Sequence, residues 1–240
     1  MTDCWFIGAG CTYDVHLVQF LCQTESIRVV DQSEFVVLFT TAIQQYKICK
    51  DSRLNIIIDI NCSNCIRQMI LVMRQIGRFD GLRVILLSNF KTWIGQSNST
   101  IMAYASDEFF LRVPISCSYE DYYLENALEN ISRTCGVSFC IVGSGLFYGA
   151  DGMDLKDVFM HIWKHSETHD EEGKNIFCLS DTAVPLVSIQ GFVETIGELL
   201  KTDKNELPTF VPAIDCPIIE HSQVLTLHEI ITRSSILLNG

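Results

Sequence analysis

The sequence has few charged residues and no cluster of basic ones. Lysine and arginine number 17 against 29 aspartates and glutamates, which gives a net charge of -12, and they form no run. A surface with this charge repels the phosphates of nucleic acids and of anionic lipids, so we expect neither nucleic acid nor membrane as a partner. The apolar runs also fall well short of the ~20 residues that a membrane-spanning helix requires. Because 48% of the residues are hydrophobic and only 19% are charged, the composition excludes wholesale disorder.

The eleven cysteines do not form a disulfide or metal-binding framework. Their number is odd, several lie in apolar runs, and no leader with a basic start and an apolar centre opens the sequence. We therefore predict reduced and mostly buried thiols in a reducing, cytoplasmic compartment. The one C-x-x-C motif, Cys62–Cys65, has no second pair with which to bind zinc, and its polar centre suits a helix-capping turn. The sequence thus predicts no metal site.

Short apolar runs alternate with longer amphipathic segments along most of the chain. Four runs are typical of buried parallel strands: residues 4–7, 54–60, 82–88 and 137–142. The alternation predicts an α/β fold with a Rossmann-like doubly wound parallel sheet and right-handed connections. The pattern loosens after Gly149. We therefore predict a Rossmann-like region at 1–150 and a small C-terminal lobe at 151–240 that completes the same domain.

The turn after the first predicted strand carries the sequence Gly-Ala-Gly at residues 8–10. A glycine-rich turn that opens a helix resembles the dinucleotide-binding fingerprint, whose glycines permit a tight turn, close approach of a pyrophosphate and helix packing. Tyr13 occupies the third glycine position, where its ring would push the helix away or project outward, and Asp14 would place a carboxylate near the pyrophosphate. Asp31 lies where a ribose-binding acid belongs, although it equally suits a helix cap. We interpret four residues as relic cofactor positions and expect no bound cofactor: Gly8, Ala9, Gly10 and Asp31.

Further motifs along the chain resemble one known family. The glycine-rich turn, the run 55–61, the run 84–88 and Phe147-Tyr148-Gly149 follow one another as in an extended short-chain dehydrogenase/reductase of the NAD-dependent epimerase/dehydratase type. More narrowly, the segments ILLSNFKTW (85–93) and GLFYGADGM (145–153) resemble the N-terminal, dehydrogenase-like domain of the axonemal type-seven adenylate kinases. The resemblance covers nearly the whole chain from Leu54 onward and is weaker before it.

The resemblance implies chemistry for which this sequence lacks a necessary group. Ser88 falls where the family has the serine that orients the substrate hydroxyl. A tyrosine on the next helix should act as general acid and base, with a lysine four residues later that lowers its pKa. The helix predicted over 119–135 carries three tyrosines, yet no lysine occurs between Lys91 and Lys156. Ser88 is therefore interpreted as a relic, and we predict no catalytic residue. A G-x-x-x-x-G-K-[ST] phosphate loop is also absent from the sequence, so we expect no phosphoryl transfer.

These observations leave three hypotheses. The first is a non-catalytic structural or adaptor protein, which the resemblance places among the proteins of a ciliary or flagellar axoneme. The main alternative is a divergent NAD(P)-dependent oxidoreductase or epimerase that uses Ser88 with an unconventional tyrosine, and the third is a sensor that binds a dinucleotide without turnover. For an adaptor we predict a contact surface in the loop 89–114, because its aromatic residues Trp93, Phe109 and Phe110 are of the type enriched at interface hot spots.

Overall fold

The computed structural model describes residues 2–24, 27–48, 53–79, 81–92, 114, 116–148, 186–203 and 205–215. Trp93, Phe109 and Phe110 lie outside these residues, as does most of the predicted lobe at 151–240. The contact surface predicted for the loop 89–114 therefore stays a prediction.

The described residues form eight strands and five α-helices. The strands are β1 (Thr2–Ile7), β2 (Ile27–Val29), β3 (Arg53–Asp59), β4 (Leu82–Asn89), β5 (Ser138–Ser144), β6 (Leu146–Tyr148), β7 (Leu186–Ser188) and β8 (Phe210–Ala213). The helices are α1 (Thr12–Thr24), α2 (Phe35–Ile48), α3 (Ser63–Ile76), α4 (Tyr119–Cys135) and α5 (Ile189–Lys201). No helix in this part of the chain combines the length and the apolar content that crossing a membrane would require.

Six strands form one sheet in the order β2-β1-β3-β4-β5-β8. β1 pairs in parallel with both β2 and β3, and β3 pairs in parallel with β4. The chain passes from β1 to β2 on one side and then to β3 on the other, so the order reverses beside β1. In doubly wound sheets the ligand crevice lies at such a reversal, outside the carboxyl ends of the strands. The predicted Rossmann-like doubly wound sheet is confirmed, and its crevice is flanked by the ends of β1 and β3.

The central strands are buried on both faces, as continuous apolar runs predict. Every residue of β4 from Leu82 to Ser88 is buried, and Ile56, Ile57 and Ile58 of β3 have no exposed surface. Helix α3 ends at Ile76, and the φ of 75° at its C-cap Gly77 lies in the left-handed region that favours glycine. The core of the sheet is thus separate from the polar residues at the strand ends.

The chain groups into two compact units. One comprises Met1–Gly143 and Val193–Pro212, and the other comprises Ser144–Phe192 and Ala213–Gly240. The second unit contains a two-stranded parallel sheet of β6 and β7. In that unit Asp215 accepts hydrogen bonds from the Tyr148 hydroxyl (2.6 Å) and the Ser188 backbone N–H (2.8 Å). The predicted division into 1–150 and 151–240 stays a prediction, since most of residues 151–240 lie outside the described residues.

One buried cation joins β4 to the end of α5. Arg83 is 8% exposed, and its guanidinium donates to the backbone oxygens of Leu199 (3.2 Å), Leu200 (2.7 Å) and Thr202 (2.7 Å). The last carbonyls of a helix have no partner within the helix, and a positive charge there is favourable. Arg83 therefore fixes the C-terminus of α5 against the sheet.

We predict that Arg83→Ala lowers the free energy of unfolding by about 3 kcal/mol, because three carbonyl oxygens lose a charged donor in a buried place. Arg83→Lys should lose less, since an ammonium can still bond one or two of these oxygens. Urea unfolding followed by circular dichroism measures both changes. The exposed Arg74→Ala variant is the control and should change stability by less than about 0.5 kcal/mol. An equally small effect of Arg83→Ala would contradict this account.

Candidate functional site at the carboxyl ends of the strands

A carboxylate closes the turn between β1 and α1. Asp14, in the first turn of α1, accepts hydrogen bonds at Oδ2 from the backbone N–H groups of Gly10 (2.8 Å) and Cys11 (3.0 Å). Gly10 has a φ of 83°, and a Cβ on Gly8 would collide with the Asp14 carboxylate. The N–H groups at the start of a helix are a natural anion site, which fingerprint turns use for phosphate. Here the anion is supplied by the chain itself.

Tyr13 extends from α1 to the end of β3. Its hydroxyl donates to Oδ2 of Asp59, and the Cys11 Sγ lies 3.6 Å from the same oxygen. Asp59 has no exposed surface, and its Oδ1 accepts from the backbone N–H of Asn61 (2.7 Å). Burial raises the pKa of Asp59. The expectation that the Tyr13 ring would project outward is therefore wrong, because its hydroxyl bonds to a buried acceptor, while the expectation that the ring pushes the helix away stays a prediction.

Ser88 lies at the end of β4, as predicted, and bonds to a buried carboxylate. Its hydroxyl donates to Oε1 of Glu125 on α4, which also accepts from the Thr92 hydroxyl (3.0 Å). Glu125 has no exposed surface. Sequence reasoning missed Glu125 because glutamates on amphipathic helices usually face solvent. Its spacing from the buried Leu128 and Ser132 was the available signal.

Four carboxylates come from three elements: Asp59 from the end of β3, Asp14 from the first turn of α1, and Asp121 and Glu125 from α4. Burial raises the pKa of Asp14, although the two backbone hydrogen bonds lower it. Burial likewise raises the pKa of Asp121, against a hydrogen bond from Asn89 that lowers it. Burial thus disfavours the charged form of Asp14 and Asp121, because a carboxylate loses solvation when it leaves water.

The relic positions predicted from the sequence share one cavity. A cavity of about 650 Å³ lies against the β1–α1 turn, α1 and the end of β2. Its lining includes all four positions: Gly8, Ala9, Gly10 and Asp31. The Asp31 carboxylate accepts from the Ser33 N–H (2.8 Å) and hydroxyl (2.6 Å), and these bonds lower its pKa. Asp31 thus forms hydrogen bonds within the turn before α2. Helix capping was one of its two predicted roles, and ribose binding was the other. The cavity has the size of a small-molecule site.

The C-x-x-C motif has the environment of buried structural thiols. Cys62 and Cys65 are each 1% exposed, and their thiols lie 3.6 Å from the backbone oxygens of Ile7 and Gln32. Burial, together with the nearby Asp59 charge, raises the pKa of Cys62 to about 12. A thiolate is the reactive form of cysteine, so these two side chains are poor nucleophiles and poor redox groups.

No protein-family model and no curated protein matches the sequence. Solved structures do share its fold. A dTDP-glucose 4,6-dehydratase from Bacillus anthracis in complex with NAD is 9% identical, with a TM-score of 0.66 over 100% of this chain and 81% of that one. A UDP-glucuronic acid 4-epimerase from Bacillus cereus with NAD is 12% identical, with a TM-score of 0.63 over 99% of this chain and 83% of that one. A GDP-mannoheptose C4 reductase from Campylobacter jejuni with NADP is 10% identical, with a TM-score of 0.63 over 99% of this chain and 84% of that one.

These similarities concern the fold. They confirm a Rossmann-like α/β architecture of the kind found in NAD(P)-dependent epimerases, dehydratases and reductases, as the broader resemblance in the sequence implied. None of these three structures is an adenylate kinase, so the narrower resemblance to the axonemal kinases stays a prediction. The chain therefore has a Rossmann-like α/β fold similar to that of these NAD- and NADP-bound enzymes.

We predict that Ser88 and Glu125 are coupled in stability. Ser88→Ala should lower the free energy of unfolding by about 1–2 kcal/mol, because a buried carboxylate loses a donor. The double variant with Glu125→Ala should lose about 1 kcal/mol less than the sum of the single variants. Chemical unfolding of all four proteins measures the cycle, with the exposed Ser116→Ala as control. A neutral Ser88→Ala would show that this hydroxyl has no structural role.

We also predict that alkylation of the native protein separates the described cysteines by burial. Mass spectrometry after brief iodoacetamide treatment at mildly alkaline pH should find Cys22 and Cys117 modified, since both are exposed. The buried thiols should react only after unfolding: Cys4, Cys62, Cys65, Cys135 and Cys140. Cys140 resembles Cys62 in that burial raises its pKa to about 12. Rapid modification of Cys62 in native protein would contradict the structural interpretation of the C-x-x-C motif.

Proposed function

We propose that this protein is a non-catalytic, dehydrogenase-like protein whose nucleotide crevice is closed by its own Asp14 carboxylate. The observation that carries the proposal is the pair of hydrogen bonds from Gly10 and Cys11 to Asp14 Oδ2. A dinucleotide would have to displace this carboxylate from the turn. It would also have to bring its pyrophosphate beside the buried Asp59, which lies within 4.8 Å of Asp14. Like charges at such short range oppose binding strongly.

The catalytic positions support the same conclusion. NAD(P) chemistry on this fold needs a tyrosine with a lysine four residues later, and α4 contains no lysine. The Ser88 hydroxyl, which would orient a substrate, donates to Glu125. The turn after β1 does not fit the cofactor that the similar structures hold, because Asp14 occupies its N–H groups. Helix α4 does not fit it either, because the tyrosines of this helix have no lysine partner. Fold and chemistry separate readily in evolution, because function resides in sites carried by folds.

A protein without turnover acts through its surface, and we propose an adaptor or structural role among other proteins. Two aromatic rings on α4 favour this role. Tyr119 and Tyr123 are 44% and 66% exposed and stack at a centroid distance of 6.4 Å. Exposed tyrosines are typical of protein interfaces. The sequence resemblance to the axonemal kinases supplies the finer proposal, a subunit of a ciliary or flagellar complex in the cytoskeleton.

The second candidate is a divergent NAD(P)-dependent oxidoreductase or epimerase. It is favoured by the similar structures, which contain NAD or NADP, and they support it more than they support an axonemal role. The cavity that contains Gly8, Gly10 and Asp31 favours it as well. In this case Asp14 would turn out of the crevice when the cofactor binds, and a tyrosine of α4 would act without a lysine.

Calorimetric titration with NADH and NADPH tests the proposal. We predict no micromolar binding by the wild type. Asp14→Ala should bind at least about tenfold more tightly, a gain of 1.4 kcal/mol or more, because it frees two amide donors and removes a charge. Glu34→Ala, an exposed change of the same charge, should bind no better than the wild type. Tyr13→Gly should not give turnover, since the acid–base pair is still absent.

Each contrary result has a distinct meaning. Micromolar binding by the wild type, with oxidation of NADPH in the presence of a nucleotide-sugar ketone, would overturn the proposal in favour of the second candidate. An Asp14→Ala variant that binds no better than Glu34→Ala would show that Asp14 does not close the crevice.

A further inference from the structure

Three side chains at the crevice offer metal-ligand atoms to a common point. Cys11 lies in the turn after β1, Asp14 in the first turn of α1 and Asp59 at the end of β3. One ligand atom from each, a thiol sulfur and two carboxylate oxygens, lies within 4.8 Å of the other two. Cys11 and Asp59 are 48 residues apart, so the fold and not local sequence brings them together.

The separation of two of these atoms suits a tetrahedral ion. Zinc–sulfur bonds of about 2.3 Å and zinc–oxygen bonds of about 2.0–2.2 Å place sulfur and oxygen ligands roughly 3.5 Å apart at the tetrahedral angle. The Cys11 Sγ and the Asp59 Oδ2 are 3.6 Å apart. This pair is spaced as two ligands of one ion would be, and the ligand atom of Asp14 lies within 4.8 Å of both.

Within the part of the chain that the structure describes, no salt bridge is formed by the carboxylate of Asp14 or of Asp59. Asp59 is completely buried. Burial raises its pKa, hydrogen bonds lower it and the Asp121 carboxylate raises it. The Oδ1 atom of Asp14 is buried and has no hydrogen-bond partner among the described residues. Buried carboxylates in proteins are normally paired with a cation or bound to a metal. The Asp14 Oδ2 is occupied by backbone N–H groups, whereas Oδ1 is available to an ion.

We propose that Cys11, Asp14 and Asp59 form a binding site for a divalent transition metal, with zinc as the ion best suited to it. A thiolate ligand disfavours Mg²⁺ and Ca²⁺, and a mixed sulfur and oxygen set suits the borderline-soft Zn²⁺. The Cys11 thiol releases its proton to solvent when it coordinates. The site places a dication where the fold otherwise receives a pyrophosphate. The sequence analysis predicted no metal site, and Cys11, Asp14 and Asp59 lie outside the C-x-x-C motif on which that prediction was argued.

Cobalt reports thiolate ligation directly, because a Co²⁺–thiolate bond absorbs in the near ultraviolet. Chelator-treated, full-length protein is titrated with Co²⁺ and then with Zn²⁺. We expect charge-transfer absorption from one bound equivalent, which Zn²⁺ abolishes by displacing the cobalt. Cys11→Ser and Asp59→Asn should lose this equivalent or bind it at least about tenfold more weakly. Cys22→Ser removes an exposed thiol from α1, the helix that follows Cys11, and should leave the bound equivalent unchanged.

A second measurement needs no variant and so does not depend on folding of the substituted proteins. Wild-type protein is alkylated with and without Zn²⁺, and the modified peptides are quantified. Zn²⁺ should slow modification of Cys11 at least about tenfold and leave the exposed Cys22 and Cys117 unaffected. Equal modification of Cys11 in both samples overturns the proposal. A cobalt spectrum that a folded Cys11→Ser variant retains in full also overturns it. Neither result depends on whether NADH binds.

Discussion

The interaction on which the crevice depends is the bond between the Asp14 carboxylate and the N–H groups of Gly10 and Cys11. The first N–H groups of a helix need an acceptor, and in nucleotide-binding turns a phosphate from outside supplies it. In this chain the acceptor is the Asp14 carboxylate, which lies four residues after Gly10 and three after Cys11 and is part of the chain itself. The turn keeps its glycine geometry, with Gly10 at positive φ, although its anion site is already filled.

Carboxylates of the chain also accept hydrogen bonds from side chains at the ends of two other strands. Asp59 receives the Tyr13 hydroxyl at the end of β3, and Glu125 receives the Ser88 hydroxyl at the end of β4. Each bond satisfies a polar group at the carboxyl end of a strand. Together they make a crevice that is acidic and internally bonded, which disfavours phosphates and favours a cation. The apolar core of β3 and β4 is unaffected, because these residues lie beyond it.

Most of the sheet could be predicted from the sequence because its strands are continuous apolar runs and its helices have a regular stripe. Helix α4 begins and ends at the predicted residues, since Gly136 adopts the left-handed C-cap that glycine favours. β2 was missed because three residues are too few to show a period, and two of them are exposed. The helical spacing of Glu125 indicated its burial, but the pairing of Tyr13 with Asp59 and of Ser88 with Glu125 could not be predicted. Both pairs join residues more than 30 positions apart in the chain, and no local pattern reveals such a pairing.

The central claim is that Asp14 occupies the anion site of the turn, and a crystal structure of wild-type protein soaked in concentrated NADH tests it most directly. We predict clear density for the Asp14 carboxylate within hydrogen-bond distance of the Gly10 and Cys11 N–H groups, and no dinucleotide in the crevice. A pyrophosphate bound to these N–H groups, with the Asp14 side chain turned away, would contradict the account.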